Sequence, residues 1–180
     1  LETVKPRPED DALAHHLEVV AGKTGSLIAT SAHYGALFSG AAPEVVAALT
    51  QYGELVGTAF QLSDDILDIA SESEESGKTP GTDLKEGVPT LPVLIARAST
   101  DPADARLVEL LDPERHDLAA DDAAHAEALD LLRKHAAMGQ ARDYVVARAQ
   151  EAKELLRVLP EGAVRTAREA FAAGVAVRSA

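Results

Sequence analysis

The sequence predicts an all-α protein, and three features of composition and patterning support that class. It holds 35 Ala and 22 Leu but only 4 Ile among 180 residues, which favours helix formers over strand formers. Hydrophobic residues make up 46% and charged residues 26%, the balance of a folded globular protein. Apolar side chains recur every three or four residues along most of the chain, as on one face of a helix. We therefore expect a helical bundle that forms a single domain over residues 1–180.

The first two predicted helices are bounded by capping and breaking residues. Asp10 and Asp11 can cap a first helix that ends near Ala21, because their side chains accept hydrogen bonds from the first N–H groups. A second helix is predicted from about Thr24 to the residue before Gly40. This second helix is rich in residues small enough for a neighbouring helix or a ligand to approach closely: Gly25, Ala29, Ala32, Gly35 and Ala36.

A long third helix is predicted from Pro43 to Ala70, since proline is favoured in a first turn and apolar residues recur throughout the segment. Residues 71–89 lose that period and gain Gly, Pro and charge, so we expect a loop there. Helical patterns then resume at about Thr90–Ala98, Pro102–Leu111, Asp121–Ala136, Gly139–Leu159 and Glu161–Val177.

Charge and hydropathy exclude several classes of function. The formal net charge is −13, which opposes binding to phosphate backbones, so we expect no nucleic-acid partner. The absence of Cys excludes disulfides and thiolate zinc sites. No apolar run approaches the roughly 18 residues that span a bilayer. These features predict a cytoplasmic protein that is not an integral membrane protein.

The strongest local signal is the acidic run DDILD within the predicted third helix. Asp64 and Asp68 are four residues apart and Asp65 and Asp68 three, so on a helix they share a face, one turn after Gln61. Clustered carboxylates among apolar neighbours are costly unless a positive partner joins them. A hard divalent cation, most naturally Mg²⁺, would neutralise the cluster and bring a phosphorylated ligand with it. We therefore predict that Asp64, Asp65 and Asp68 bind magnesium.

Other acidic pairs and the histidines have simpler interpretations. Asp10-Asp11 and Asp121-Asp122 each precede a helical pattern, where capping explains them. The histidines show no metal-ligand spacing with carboxylates, and we interpret them as helix-surface or packing residues: His15, His16, His33, His116, His125 and His135.

Two lysines are candidate positive partners for the aspartates. Lys23 lies in the sequence GKT and Lys78 in GKTPG, each beside small or flexible residues near the end of a predicted element. A solvated side chain is the ordinary alternative for either lysine. The sequence GKT resembles the tail of a P-loop, but it lacks the earlier glycine and the preceding strand.

Four blocks of the sequence, in order, resemble the trans-isoprenyl diphosphate synthases, or polyprenyl synthetases. They are GKTGSL (22–27), GTAFQLSDDILD (57–68), GKTPGTDLKEG (77–87) and TLP (90–92). The sequences of these blocks are most similar to those of bacterial medium-chain and long-chain synthases. The resemblance implies a helical bundle around a deep cavity, of which this chain is the C-terminal part of the isoprenoid synthase fold.

The resemblance also implies roles for individual residues. Asp64, Asp65 and Asp68 match the second aspartate-rich motif, which holds Mg²⁺ against the diphosphate of an allylic prenyl diphosphate. The positions that contact that substrate or its diphosphate are matched by Lys23, Thr24, Gln61 and Lys78. The implied reaction is prenyl transfer, in which the allylic diphosphate departs and the alkene of isopentenyl diphosphate attacks the resulting cation.

Two departures from the family pattern affect these expectations. Val88 stands where many relatives have a lysine after EG, so one phosphate contact is absent or comes from Lys85. The chain also matches only the C-terminal half of the family, without the first aspartate-rich motif and the residues that hold isopentenyl diphosphate. We therefore expect this chain alone to be inactive, and its half-bundle to need the N-terminal half or a homo-oligomer partner.

Two other hypotheses about function remain open. One is a non-catalytic helical subunit or interaction module that completes a separate prenyltransferase chain. The other is a terpene cyclase, whose second metal motif contains Asn, Ser and Glu. The intact DDILD run favours the synthase, and no Asn-Ser-Glu pattern follows Phe60.

Overall fold

A computed structural model of the chain describes residues 11–71 and 80–178. All regular secondary structure in those residues is helical, which confirms the predicted all-α class. The helices are α1 (Ala12–Val20), α2 (Ser26–Phe38), α3 (Pro43–Ala70), α4 (Thr82–Lys85), α5 (Leu91–Arg97), α6 (Ala105–Leu110), α7 (Asp122–Lys134), α8 (Ala136–Leu155) and α9 (Ala163–Val177). A π-helical turn covers Ala21–Gly25, and 3₁₀ turns cover Pro102–Asp104 and Leu156–Val158.

The chain divides into two compact units. The first unit is drawn from Leu1–Ser63 and Tyr144–Ala180, and the second unit is Asp64–Asp143. The expectation of one domain over the whole chain stays a prediction.

The first unit is built on buried side chains of α3, α8 and α9. The side chains of Val56, Leu62 and Val145 are at most 1% exposed. Tyr52 lies in the same core, and its hydroxyl donates a 2.8 Å hydrogen bond to the carbonyl oxygen of Arg168. Burial raises the pKa of Tyr52, because the ionised phenolate would lose its hydration.

The second unit surrounds the C-terminal end of α3. Ile66 and Ile69 of that helix are buried, together with Leu91 on α5, Leu110 on α6 and Leu132 on α7. The acidic run therefore lies in a helix segment whose apolar residues form part of a core.

Several predicted helix ends are confirmed by their caps. The Asp11 carboxylate accepts hydrogen bonds from the N–H groups of Leu13 and Ala14, at 2.9 and 3.2 Å. The Asp121 carboxylate caps α7 in the same way. The limits of α3, Pro43–Ala70, are the predicted ones. Since each cap satisfies N–H groups that have no intrahelical partner, these ends can be read from sequence.

The structure differs from the prediction at three places. The predicted break between the first two helices is wrong, since a π-helical turn joins α1 to α2. The helix predicted from Gly139 begins earlier, at Ala136, because the Nδ1 atom of His135 accepts a hydrogen bond from the Ala137 N–H at 3.0 Å. The segment predicted as a loop contains α4, although its residues 72–79 lie outside the described residues.

Among the described helices, none has the length and hydropathy that crossing a bilayer requires.

Candidate functional site

Lys23 and Thr24 lie on the π-helical turn between α1 and α2. The turn is closed by a hydrogen bond from the Ser26 N–H to the Ala21 carbonyl, five residues back. Single π-helical turns occur frequently at functional sites, because the extra residue displaces side chains from the ordinary helical spacing. Lys23 is exposed there and Thr24 is half-buried. The predicted phosphate-binding sequence therefore has an irregular helical backbone.

Glycines on α3 let this part of the chain pack closely against that helix. A Cβ atom added to Gly57 would lie 2.9 Å from the Cα of Gly25 and 3.2 Å from the carbonyl oxygen of Thr24. One added to Gly53 would lie 2.8 Å from the Cα of Ala29. The small residues predicted to admit a neighbouring helix do so at Gly25 and Ala29. Sequence analysis missed their partners on α3, which the GELVG spacing could have indicated.

Thr24 and Gln61 are brought together by this close packing. The Thr24 hydroxyl donates a 2.9 Å hydrogen bond to the Oε1 atom of Gln61. Since the amide oxygen serves as the acceptor, the Nε2 amino group is the end of Gln61 that can donate to an anion. Of the predicted substrate-binding residues, Lys23, Thr24 and Gln61 thus lie in the first unit, and two of them touch.

The three aspartates of the acidic run differ in exposure. Asp65 is buried, with 4% of its surface exposed, and Asp64 and Asp68 are half-buried. A charged carboxylate that is shielded from water needs hydrogen bonds or a cation to offset its lost hydration. The run is therefore unlike a solvated acidic face.

Backbone N–H groups orient the Asp68 carboxylate. Its Oδ1 atom accepts a 3.2 Å hydrogen bond from the Thr82 N–H, and its Oδ2 atom accepts a 3.1 Å bond from the Asp83 N–H. The Asp68 carbonyl oxygen also accepts a 2.8 Å bond from the Gly81 N–H. Both ends of Asp68 are thus tied to residues 81–83, in the sequence GTD of one matched block. Sequence analysis missed this support because the contacts link residues 14 and 15 positions apart.

The matched block GKTPGTDLKEG contains two lysines, Lys78 and Lys85. Lys78 lies outside the described residues. Lys85, the alternative phosphate contact, donates a 2.6 Å hydrogen bond to the Oδ1 atom of Asp122. That bond lowers the pKa of Asp122, because the ammonium group stabilises the ionised carboxylate.

The aspartates fit part of the donor set of a hard divalent cation. Carboxylate oxygens are the ligands that Mg²⁺ and Ca²⁺ prefer, and Asp68 is already oriented by hydrogen bonds. Within residues 11–71 and 80–178, no group of three or more acidic or histidine side chains is arranged to hold an ion by itself. Because Mg²⁺ usually takes one or two carboxylates and completes its shell with water and substrate phosphates, the aspartates suit a shared site.

Comparison with known proteins decides the family. Residues 2–132 match the model of the polyprenyl synthetase family. The chain belongs to the polyprenyl synthetase family. It is 48% identical over 151 residues to nonaprenyl diphosphate synthase of Mycobacterium tuberculosis, a match that covers 84% of this chain and 44% of that protein. It is 42% identical to a dimethylallyltranstransferase of the same organism, over 90% of this chain and 47% of the relative. The chain spans about half the length of the curated relatives it matches.

Solved structures give the same family and the fold. The chain is similar to geranylgeranyl pyrophosphate synthase of Corynebacterium glutamicum, with a TM-score of 0.84 and 37% identity over 96% of this chain and 52% of that one. It is also similar to a polyprenyl synthase of Caulobacter crescentus, with a TM-score of 0.86 and 31% identity over 99% of this chain and 54% of that one. Both relatives are complexed with calcium and isoprenyl diphosphate. The chain has the isoprenoid synthase fold of this polyprenyl synthetase family.

Proposed function

We propose that this polyprenyl synthetase chain is the part of a prenyltransferase that carries the second aspartate-rich motif. The enzyme condenses isopentenyl diphosphate with an allylic prenyl diphosphate. The observation that supports this proposal most is the state of the acidic run, in which Asp65 is buried and Asp68 is fixed by two backbone N–H groups. Carboxylates that are shielded from water and oriented by hydrogen bonds are typical of a site that binds a metal and a diphosphate, and not of an acidic face exposed to solvent.

In this proposal each candidate residue has a defined role. Asp64, Asp65 and Asp68 hold Mg²⁺, which when bound supplies Lewis-acid stabilisation of the departing diphosphate. Lys23 and Lys78 place positive charge on the diphosphate oxygens.

Thr24 and Gln61 orient the same diphosphate. The hydroxyl of Thr24 donates to the amide oxygen of Gln61, which leaves the amino group as the donor end of that side chain. As the allylic carbon–oxygen bond breaks, negative charge grows on the diphosphate, so donors aimed at it stabilise the transition state more than the bound substrate. The alkene of isopentenyl diphosphate then forms the new carbon–carbon bond, and a proton leaves.

We propose that the rest of the synthase is supplied by the N-terminal half or by a homo-oligomer partner. The matches cover 44% of the nonaprenyl synthase and 52% of the Corynebacterium structure, so about half of a complete relative has no counterpart in this chain. Apolar side chains of α2 are well exposed, at 69% for Leu27, 52% for Tyr34 and 83% for Phe38. We propose that the missing half covers such surface, that the chain alone is inactive, and that the assembled enzyme is cytoplasmic.

The same exposed surface favours a second candidate function, a non-catalytic helical subunit that completes a separate prenyltransferase chain. The two candidates differ in whether the aspartates of this chain are needed for turnover.

A prenyl-transfer assay separates them. The chain is assayed in a protein that also contains the remaining half of the synthase sequence, with labelled isopentenyl diphosphate, an allylic diphosphate and Mg²⁺. Asp64→Ala should lower kcat by at least about 100-fold with unchanged helicity, because a transition-state charge partner is lost. Asp143→Ala, which alters an exposed helical aspartate, is the matched control and should leave kcat unchanged. Full activity of Asp64→Ala would favour the non-catalytic subunit.

A further inference from the structure

One face of α7 contacts the main chain at two places that adjoin Asp68, the end of α3 and the turn at Gly81. His125, Leu129 and Arg133 are spaced at i, i+4 and i+8, so they lie above one another along the helix. We propose that His125 and Arg133 are positioning residues for the Asp68 carboxylate and that Leu129 packs between them. We call these three residues the α7 platform. The inference rests on the proposed function, since it assigns the α7 platform to the metal site of that function.

His125 holds the turn that donates to Asp68. Its Nε2 atom lies 2.9 Å from the carbonyl oxygen of Gly81. Because a carbonyl oxygen only accepts, the hydrogen sits on Nε2 and the buried imidazole is the donor. Gly81 also donates its N–H to the Asp68 carbonyl, and the next two N–H groups go to the Asp68 carboxylate. His125 therefore fixes Gly81, and the two residues after it, Thr82 and Asp83, donate both hydrogen bonds to the Asp68 carboxylate.

Packing at Gly81 leaves the turn little freedom. A Cβ atom at this position would lie 2.9 Å from the Nε2 atom of His125 and 3.0 Å from the Cδ1 atom of Leu129. Gly81 has φ of 69°, a left-handed conformation that other residues adopt only with strain. Only glycine therefore fits at position 81 beside the α7 platform. The platform fixes this turn and so determines the direction of the N–H groups of Thr82 and Asp83.

Arg133 holds the C-terminal end of α3, in the residues that follow Asp68. Its Nε atom donates a 2.7 Å hydrogen bond to the Ile69 carbonyl, and its Nη2 atom donates a 2.6 Å bond to the Ser71 carbonyl. These carbonyls lie at the C-terminal end of α3, where intrahelical partners are missing and a cation is favourable. Since Ile69 directly follows Asp68, the guanidinium fixes the backbone that carries the carboxylate.

Positioning of this kind controls metal affinity. Groups that orient a metal ligand through hydrogen bonds typically change affinity by about 10–100-fold when they are removed. The α7 platform acts on Asp68 only through main-chain atoms, so its loss should alter the geometry of the carboxylate without removing any ligand.

The test compares His125→Leu with His125→Gln in the assembled protein, which also contains the remaining half of the synthase sequence. Leucine removes the donor, whereas the Nε2 amide of glutamine can reach the position of the imidazole Nε2. Hydrogen exchange at the Thr82 and Asp83 amides reports the contacts without metal, and a Mn²⁺ titration with inorganic pyrophosphate, followed by electron paramagnetic resonance, reports affinity. We expect faster exchange and about 10–100-fold weaker Mn²⁺ binding for His125→Leu, with His125→Gln near wild type.

Two further variants complete the design. His116→Leu is the matched control, because His116 lies in the same unit beside Glu109 and should change neither measurement. Arg133→Lys keeps the charge but cannot donate to both carbonyls in a fixed geometry, so it should weaken Mn²⁺ binding. Wild-type affinity in Arg133→Lys would show that charge alone is needed there, and would overturn the positioning role of Arg133.

The outcomes separate this inference from the proposed function. If the wild-type protein fails to bind Mn²⁺ with pyrophosphate, the proposed function fails. The positioning role is then tested by amide exchange alone, and unchanged exchange in His125→Leu would overturn it. If wild type binds and His125→Leu binds equally well, the inference is overturned and the proposed function stands. If circular dichroism shows that His125→Leu does not fold, His125→Gln becomes the test. Weak Mn²⁺ binding by a folded His125→Gln would contradict the role of His125 as a hydrogen-bond donor.

Discussion

The two compact units position their candidate residues by different physical means. In the first unit, Thr24 meets Gln61 because Gly53 and Gly57 let α2 and α3 pack with their backbones nearly touching. In the second unit, Asp68 is held by directional hydrogen bonds between side chains and main chain. The first arrangement is therefore sensitive to added side-chain volume, and the second to the loss of hydrogen-bond donors and acceptors.

The largest effect on stability is expected from filling the close contact in the first unit. A methyl group at Gly53 would meet backbone atoms at 2.8 Å, and backbone atoms cannot rotate away. Gly53→Ala should therefore destabilise the chain by about 1–3 kcal/mol, the usual cost of overpacking. Gly35→Ala is the matched control, because no atom of the described residues, apart from the neighbouring backbone of its own helix, lies within 4 Å of the added Cβ. It should be neutral or stabilising by up to ~1 kcal/mol through helix propensity.

Urea denaturation of both variants measures this contrast. Equal stability of Gly53→Ala and Gly35→Ala would contradict the account of the first unit as a close backbone packing.

A smaller effect is expected from removing the hydrogen bond that this packing makes possible. Thr24→Val keeps the shape of the side chain but removes the donor to Gln61, and should cost about 0.5–1.5 kcal/mol. In the assembled enzyme it should also raise KM for the allylic diphosphate. Thr30→Val is the control, since the Thr30 hydroxyl donates only within its own helix, to the Ser26 carbonyl. Equal KM values for the two variants would remove Thr24 from the substrate site.

The second unit should show its dependence on hydrogen bonds through pH. The Ser99 hydroxyl donates to the Asp104 carboxylate at 2.6 Å, and the Nε2 atom of His135 lies 3.0 Å away. These hydrogen bonds lower the pKa of Asp104 below its ordinary value of 3.8. Because the folded state then binds the proton less readily than the unfolded state, the stabilisation is present above that value and is lost as pH falls through the lowered pKa.

Asp104→Asn should therefore flatten the acid side of the stability profile, the smallest of these effects. Thermal unfolding midpoints of wild type and variant should converge as pH falls from about pH 5 through the ordinary value of 3.8 and below it. Asp143→Asn, at an exposed helical position, should keep the wild-type profile. A constant difference between wild type and Asp104→Asn across that range would contradict the role of the ionised carboxylate.

Sequence analysis predicted the features that local physics determines. Residue types at short spacing determine the ends of α3 and the caps at Asp11 and Asp121. They also show that the acidic run lies among apolar residues of a helix. The π-helical turn at Lys23 was not predicted, because it depends on how Gly25 packs against α3. The role of His125 was missed for a similar reason, since its partner Gly81 is 44 residues away and no local pattern marks the pair.

We propose that the acidic run on α3 binds a divalent cation together with a diphosphate. Crystals of the assembled protein soaked with Mn²⁺ and pyrophosphate test it most directly, through an anomalous difference map at the manganese edge. We expect a peak within about 2.2 Å of a carboxylate oxygen of Asp64, Asp65 or Asp68 and of a pyrophosphate oxygen. A manganese peak elsewhere, with all three carboxylates bound only to water or to protein groups, would contradict it.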